Sequence, residues 1–325
     1  MRAAIIGLGV IGRVHAEVLA KLGEEIVAVC DVDEGAAVYA RDTYAPSAVV
    51  YADYRKMLDE LQPDVVHICT PHYLHAEMAV GALERDIHVL CEKPLAISAE
   101  QLEEILRAEE KSKAQLGVCH QNRFNDVNAY LKAFLQDKTP VSGQGYVAWQ
   151  RDEAYYNQAA WRGTWAQEGG GVLINQALHT LDLMQWFLGY PEKVQAKVGT
   201  LALQDCIEVE DTATVRCFGS VNYAFYATNT SFGGSPTQIH IRLQDGGEIM
   251  AFPDRLLING EVVSKEEMTH FFGKKSYGAG HEKLLREFYR CVREGEKFPI
   301  DGKEGAKVVR MILASYASDG KKITL

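Results

Sequence analysis

Ala3-Ala4-Ile5-Ile6-Gly7-Leu8-Gly9-Val10-Ile11-Gly12 is the stretch on which the fold turns. A short apolar run reads as a strand, and G-x-G-x-x-G follows it directly. It opens a helix whose apolar positions Ile11, Val14, Val18 and Leu22 recur at helical spacing. The glycine spacing alone is a weak signal, but strand, glycines and helix in this order are what a dinucleotide-phosphate loop requires. Gly7 permits the tight turn, Gly9 lets backbone approach a pyrophosphate, and Gly12 lets helix pack on strand. The amides at the helix start, Val10 and Ile11 among them, then face the phosphates. The second strand ends at Cys30-Asp31, 24 residues after Gly7, where an acid accepts hydrogen bonds from ribose hydroxyls. Asp31, Asp33 and Glu34 crowd that corner with no Arg or Lys beside them, so a ribose 2′-phosphate would be repelled. NAD is the expected cofactor.

Working outward, the first 120 residues alternate β-branched runs (Ala3 to Ile6, Ile26 to Cys30, Val49 to Tyr51, Val65 to Cys69, Ile87 to Glu92, Leu116 to His120) with helical patterns (Val14 to Leu22, Tyr54 to Leu61, His75 to Glu84, Ala99 to Lys111). Such alternation predicts a parallel sheet with helices on both faces. After Arg123 the texture changes. A helix over Val127 to Leu135 leads to an extended Gly145 to Arg151, a long helix over Val172 to Leu188, and four or five alternating strands between Val194 and Ile258. Helices return over His281 to Glu294 and Glu304 to Ser318. The fold class is therefore α/β: residues 1–121 form a dinucleotide-binding domain, and 122–325 an α+β domain with a mostly antiparallel open sheet.

Composition narrows the function classes. The 325 residues suffice for two domains with substantial cores, and 47% hydrophobic with 24% charged residues marks a globular chain. The net charge is −10, and residues 1 to 120 hold 11 Lys/Arg against 20 Asp/Glu. No basic face is offered to nucleic acid or to an anionic membrane. The apolar run after Met1 is too short for a signal peptide, and the longest later one is broken by Asn175, His179 and Asp182. The expected location is cytoplasmic. Seven cysteines without a Cys-x-x-Cys pair read as reduced, structural thiols.

Chemistry-bearing residues cluster at the strand ends. Cys69-Thr70-Pro71-His72-Tyr73-Leu74-His75 ends the fourth strand and Cys91-Glu92-Lys93-Pro94 the fifth, at the carboxyl edge where open α/β sheets bind ligands. Thr70, Pro71, His75, Glu92 and Lys93 are expected at the cofactor. Lys93, between an acid and a proline, has little freedom and is expected to face the ligand; Pro94 allows a cis bond. His72 and His75 share an H-x-x-H spacing, yet a helix begins there and no third ligand accompanies them, so no metal is expected. In Gly169-Gly170-Gly171-Val172-Leu173-Ile174-Asn175-Gln176-Ala177-Leu178-His179-Thr180-Leu181-Asp182, a helical wheel puts Asn175, His179 and Asp182 on one polar line. The glycines thin the surface for a ligand, and Asp182 would hold the His179 tautomer and make it a competent base. Upstream, Tyr155, Trp161 and Trp165 offer flat faces with polar edges, suited to a sugar ring or a nicotinamide.

Together these motifs resemble the glucose-fructose oxidoreductase, inositol dehydrogenase and rhizopine-catabolism (Gfo/Idh/MocA) family. The matching pieces are G-L-G-V-I-G at 7–12, C-T-P-x-x-x-H at 69–75, E-K-P at 92–94, Q-N-R-F at 121–124, G-G-G-x-x-x-N-x-x-x-H-x-x-D at 169–182 and H-E-K-L-L-R-E-F at 281–288. The resemblance implies a Rossmann domain followed by an α/β domain that covers the nicotinamide and binds substrate, its open sheet making a homodimer or homotetramer. It implies that Lys93 hydrogen-bonds the reacting hydroxyl and that His179 is the catalytic acid/base. It also implies that Trp161 and Arg162 reach the nicotinamide, and that Gln121 and Arg123 line the cleft. Asn175 stands where many members carry an aspartate, so proton transfer rests on His179 with Lys93.

The resulting expectation is an NAD-dependent dehydrogenase acting on a secondary alcohol of a sugar, polyol or nucleotide-sugar. Asn175 would orient substrate beside Lys93 and His179, with Arg123, Tyr155, Trp165 and Asp182 contacting it. Two alternatives share the fold: an NAD-dependent glycosidase and a non-catalytic dinucleotide-binding regulator.

Overall fold

The computed structural model describes residues 1–266 and 279–325. It divides into two compact units, one of Met1–Gln121 with 279–306, the other of 122–266 with 307–325. Residues 279–306 thus group with the amino-terminal unit, whereas the sequence reading placed them in the second domain.

The first unit runs β1 (Arg2–Ile6), α1 (Val10–Leu22), β2 (Glu25–Cys30), α2 (Glu34–Tyr44), β3 (Val49–Tyr51), α3 (Tyr54–Leu61), β4 (Val65–Ile68), α4 (His75–Leu83), β5 (His88–Cys91), α5 (Ala99–Lys111) and β6 (Leu116–Val118). Its strands pair in the order β3-β2-β1-β4-β5-β6, all parallel. The order reverses direction between β1 and β4, and that switch point sits beside the glycine loop. Ala3, Ala4, Ile5, Val65, Val66 and Ile68 are all buried, as a sheet covered on both faces demands. The sequence reading did not assign α2, whose buried stripe is only Ala37 and Ala40; Asp33 starts it by accepting from Gly35 N at 2.9 Å and Ala36 N at 3.2 Å.

The second unit runs α6 (Asp126–Phe134), β7 (Pro140–Gln150), α7 (Glu153–Tyr156), α8 (Leu178–Leu188), β8 (Lys193–Gly199), β9 (Thr212–Phe218), β10 (Asn222–Thr228), β11 (Thr230–Leu243), β12 (Glu248–Ala251), β13 (Arg255–Ile258) and β14 (Glu261–Lys265). The strands order as β14-β13-β12-β11-β7-β10-β9-β8, with β10 parallel to β7 and the remaining pairs antiparallel. Between Lys193 and Ile258 lie six strands rather than four or five, because the apolar run at 248–258 is a hairpin of two short strands. Helix α8 lies close on the sheet: a Cβ at Gly145 would sit 2.2 Å from Met184 Sδ, and one at Gly143 2.3 Å from Leu188 Cδ1.

The expected helix over Val172–Leu188 is shorter, beginning only at Leu178. Residues 172–177 are held in turns by a distant carboxylate: Glu210 accepts from Gly171 N at 2.8 Å and Leu173 N at 2.9 Å, and its carbonyl from Val172 N at 3.0 Å. Asn175 therefore does not share a helical stripe with His179 and Asp182.

The tail supplies α9 (Gly280–Glu294), α10 (Gly302–Ser318) and β15 (Lys322–Thr324), the last pairing antiparallel with β8. Within the first unit α9 packs on α1, burying Leu284, Leu285, Phe288 and Tyr289, and the Phe288 ring lies where a Cβ at Gly117 would come within 2.7 Å. No helix among the described residues is long and apolar enough to cross a membrane.

Candidate functional site

At the glycine loop each glycine has its own geometry. Gly7 adopts φ +87°, and a Cβ there would lie 2.7 Å from the Cys69 carbonyl. A Cβ at Gly12 would lie 1.9 Å from the Gly7 oxygen, so the third glycine lets α1 approach β1 and β4. A Cβ at Gly9 would meet nothing within 4 Å. Gly9 is the N-cap of α1 and supplies no side chain to its amides, no acid stands in the first turn, and Val10 is 52% exposed. Open space over an uncapped helix start fits a pyrophosphate. Asp31 closes the loop, accepting from Leu8 N at 2.6 Å and Asp33 N at 2.9 Å. Arg13 donates to the Leu8 carbonyl at 3.1 Å and stacks 4.7 Å over the Tyr39 ring.

Along the carboxyl edge, Thr70 and Pro71 follow β4 and are half-buried. His75 is buried, with Nδ1 2.7 Å from the Pro94 carbonyl and Nε2 2.9 Å from the Thr70 carbonyl. It cross-links the two strand-end loops. Burial lowers its pKa against the pull of those two carbonyls. Lys93 follows β5, is half-buried, and its bond to Pro94 is cis. Gln121 is buried, and its Oε1 has no hydrogen-bond partner among the described residues.

Glu92 follows β5 directly. Its carboxylate is buried within the first unit, where Oε1 lies 3.1 Å from His15 Nε2 and 3.5 Å from His281 Nε2. His15 Nδ1 is 2.8 Å from His67 Nδ1, and His67 Nε2 is 2.9 Å from the Tyr289 hydroxyl. Burial alone raises the Glu92 carboxyl, but the hydrogen bonds of the two imidazoles outweigh it and hold the group well below the usual carboxylate range. His15 escapes sequence reasoning, because a lone histidine on an apolar helix face carries no signal of its partners.

In the second unit, Asn175 precedes α8, and its Nδ2 donates to Glu168 Oε1 at 2.5 Å; Glu168 Oε2 accepts from Gly163 N at 2.5 Å. His179, the second residue of α8, is half-buried. Arg123 and Asp182, expected at the substrate, are buried against each other in a two-pronged pair of 2.8 and 2.6 Å, and Gln185 adds a bond to Asp182 Oδ1 at 3.1 Å. In the aromatic loop, the Arg162 guanidinium lies 4.5 Å from the Tyr155 ring centre and 4.9 Å from that of Trp161, and bonds the Tyr155 hydroxyl. Gln176 donates to the same hydroxyl at 3.0 Å. Trp165 is 44% exposed, its Nε1 donating to the Glu208 carbonyl at 2.9 Å.

Glu168 and Glu210 were missed from sequence. The one available signal was Glu168 standing directly before three glycines. Burial pushes the Glu210 carboxyl up to about 7 against two backbone amides and the Tyr316 hydroxyl.

Residues 1–120 match a family profile described as the oxidoreductase family with NAD-binding Rossmann fold, and 139–247 match the GFO/IDH/MocA C-terminal domain. Among solved structures, the WlbA dehydrogenase of Chromobacterium violaceum, in complex with NADH and UDP-GlcNAcA, is 31% identical, with a TM-score of 0.87 covering 100% of this chain and 96% of that one. Inositol 2-dehydrogenase of Salmonella typhimurium is 32% identical over 196 residues, 58% of this chain and 54% of the relative. D-glucoside 3-dehydrogenase of Escherichia coli is 35% identical over 196 residues, 59% and 55% respectively. These matches span about half the length of the curated relatives.

Proposed function

Because the chain belongs to the Gfo/Idh/MocA oxidoreductase family, we propose that it is an NAD-dependent dehydrogenase oxidising a secondary alcohol of a sugar, polyol or nucleotide-sugar. The observation that carries this reading is the glycine loop: an uncapped helix start, open space at Gly9 and a carboxylate at the end of β2. Gly9 and the first amides of α1 hold the pyrophosphate in a loop shaped by Gly7 and Gly12, and Asp31 holds the adenosine ribose. Gln121, with its buried Oε1, accepts a hydrogen bond from the dinucleotide. When bound, the nicotinamide supplies a two-electron hydride acceptor.

The chain's own residues handle the proton. Lys93 donates to the substrate hydroxyl and stabilises the alkoxide as it develops; His179 takes the proton; Asn175, oriented by Glu168, positions the ring. Trp165 supplies a flat face that a sugar ring covers, and Trp161 with Arg162 reaches the nicotinamide. We assign subunit association to the exposed face of the second unit's sheet, where Tyr146 and Tyr226 stack with centroids 5.6 Å apart. A cytoplasmic location fits an NAD-dependent activity.

Absorbance at the reduced-nicotinamide band, with NAD and a panel of sugars, inositols and nucleotide-sugars, tests the reading. NADH accumulation with one class of alcohol is expected. Sugar release without accumulation would make the protein a glycosidase, and a blank panel with tight NAD binding a regulator.

A further inference from the structure

We propose that Glu92 is a positioning residue for Lys93: its carboxylate, clamped by His15 of α1 and His281 of α9, fixes the backbone where the lysine leaves β5. The inference rests on the role given to Lys93 above. The two carboxylate oxygens divide the work, since Oε1 faces both imidazoles and Oε2 accepts from Lys93 N at 3.2 Å. Five residues from β4, the end of β5, α1 and α9 thereby form one buried chain: Tyr289, His67, His15, Glu92 and His281.

Proton bookkeeping gives the chain a direction. An ionised Glu92 takes the Nε2–H of His15, so the Nδ1 of a neutral His15 must accept. His67 Nδ1–H supplies that bond, leaving His67 Nε2 to accept from the Tyr289 hydroxyl. Burial lowers the pKa of both His15 and His67, which agrees with neutral rings. The Glu92 carboxylate is taken out of water with the two imidazoles and the Lys93 amide about it, and a polar network so enclosed specifies one arrangement of its members. What it specifies here is the joint between the phosphate-loop helix and the lysine turn.

The ligand atoms of His15, Glu92 and His281 also lie within 4.8 Å of one another, and Cys119 Sγ is 4.0 Å from His15 Nε2, a set that a zinc ion would accept. The hydrogen-bonded chain accounts for the same contacts without an ion, and stoichiometric zinc in the purified wild-type protein would overturn the proposal.

The decisive variant is Glu92→Gln in the full chain. The expected kcat falls roughly 10-fold or more while the Kd for NAD stays within about 2-fold, and Glu92→Asp recovers part of the loss. Added to Lys93→Ala, E92Q should change the residual rate by less than about 2-fold, because a group acting through the lysine has nothing left to position. Equal kcat in E92Q and wild type, parallel loss of NAD affinity, or an independent effect in the Lys93→Ala background each refutes it. If E92Q does not fold, His281→Asn carries the same expectations. Should wild type be inactive on the whole panel, the preceding reading fails instead. The positioning role is then decided by the acylation rate of the Lys93 amine, which E92Q should change by about 3-fold or more and which, unchanged, rejects it.

Discussion

Asn175 donates its side-chain amide to the buried carboxylate of Glu168, whose other oxygen is held by the backbone of Gly163. The aspartate that the family resemblance leads one to expect at 175 is thus replaced by an amide leaning on an acid seven residues earlier. Glu168→Gln removes the charge that fixes which way the amide points. Under the dehydrogenase reading, kcat should fall roughly 10- to 100-fold with NAD affinity unchanged. Asn175→Asp would set two carboxylates in contact, which share one proton. The upper pKa of that pair is raised on folding, so N175D should match wild type near pH 4 and lose stability as pH rises through it, reaching about 1–3 kcal/mol by pH 8. Urea denaturation across that range checks both sign and size.

The glycines separate folding from binding. Gly12→Ala drives a methyl into the Gly7 carbonyl, and Gly7→Ala adds a strained φ of +87° to its clash with Cys69, so both should lower Tm. Gly9→Ala meets open space and should leave Tm within about 2 °C while weakening NAD roughly 10-fold or more, by filling the volume assigned to the pyrophosphate. Calorimetry and a fluorescence titration on the three variants decide it. Equal NAD affinity in G9A and wild type would remove the phosphate assignment.

The buried Arg123–Asp182 pair makes a stability prediction. Asp182→Asn removes the charge that two short bonds tie to the buried Arg123 guanidinium, 5.3 Å from the Trp186 ring, and should cost about 3–5 kcal/mol. The double variant R123M/D182L removes both charges at similar volume and should recover most of the loss. Denaturant midpoints that simply add would show that the two side chains act separately.

Much of the fold was legible because its signals are local. A glycine fingerprint after a β-branched run, and apolar stripes such as Leu102 and Ile105 in α5, need no knowledge of distant residues. What could not be read depends on partners far along the chain. The start of α8 is set by Glu210, 39 residues beyond the Gly171 amide it accepts. His15, His67 and His281 look unrelated until the sheet and α9 bring them to Glu92. Arg123 and Asp182 lie 59 residues apart, and nothing local in either segment announces that they bond each other. Periodicity reports which face a residue occupies, not which carboxylate it meets.

Glu210 makes the pH dependence of the second unit testable. Burial raises its carboxyl to about 7, although the amides of Gly171 and Leu173 and the Tyr316 hydroxyl all donate to it. In the unfolded chain the group titrates near about 4.5, so between those values the folded protein holds one proton more than the unfolded. Its contribution to stability is therefore fully present below the unfolded value and is lost as pH rises to the folded one, by about 3 kcal/mol at most. Glu210→Gln keeps the size and cannot titrate. The difference in unfolding free energy between wild type and E210Q should accordingly fall between about pH 5 and about pH 8, and level off above that. A difference that stays constant across the range would mean that Glu210 is ionised throughout, its three donors outweighing burial.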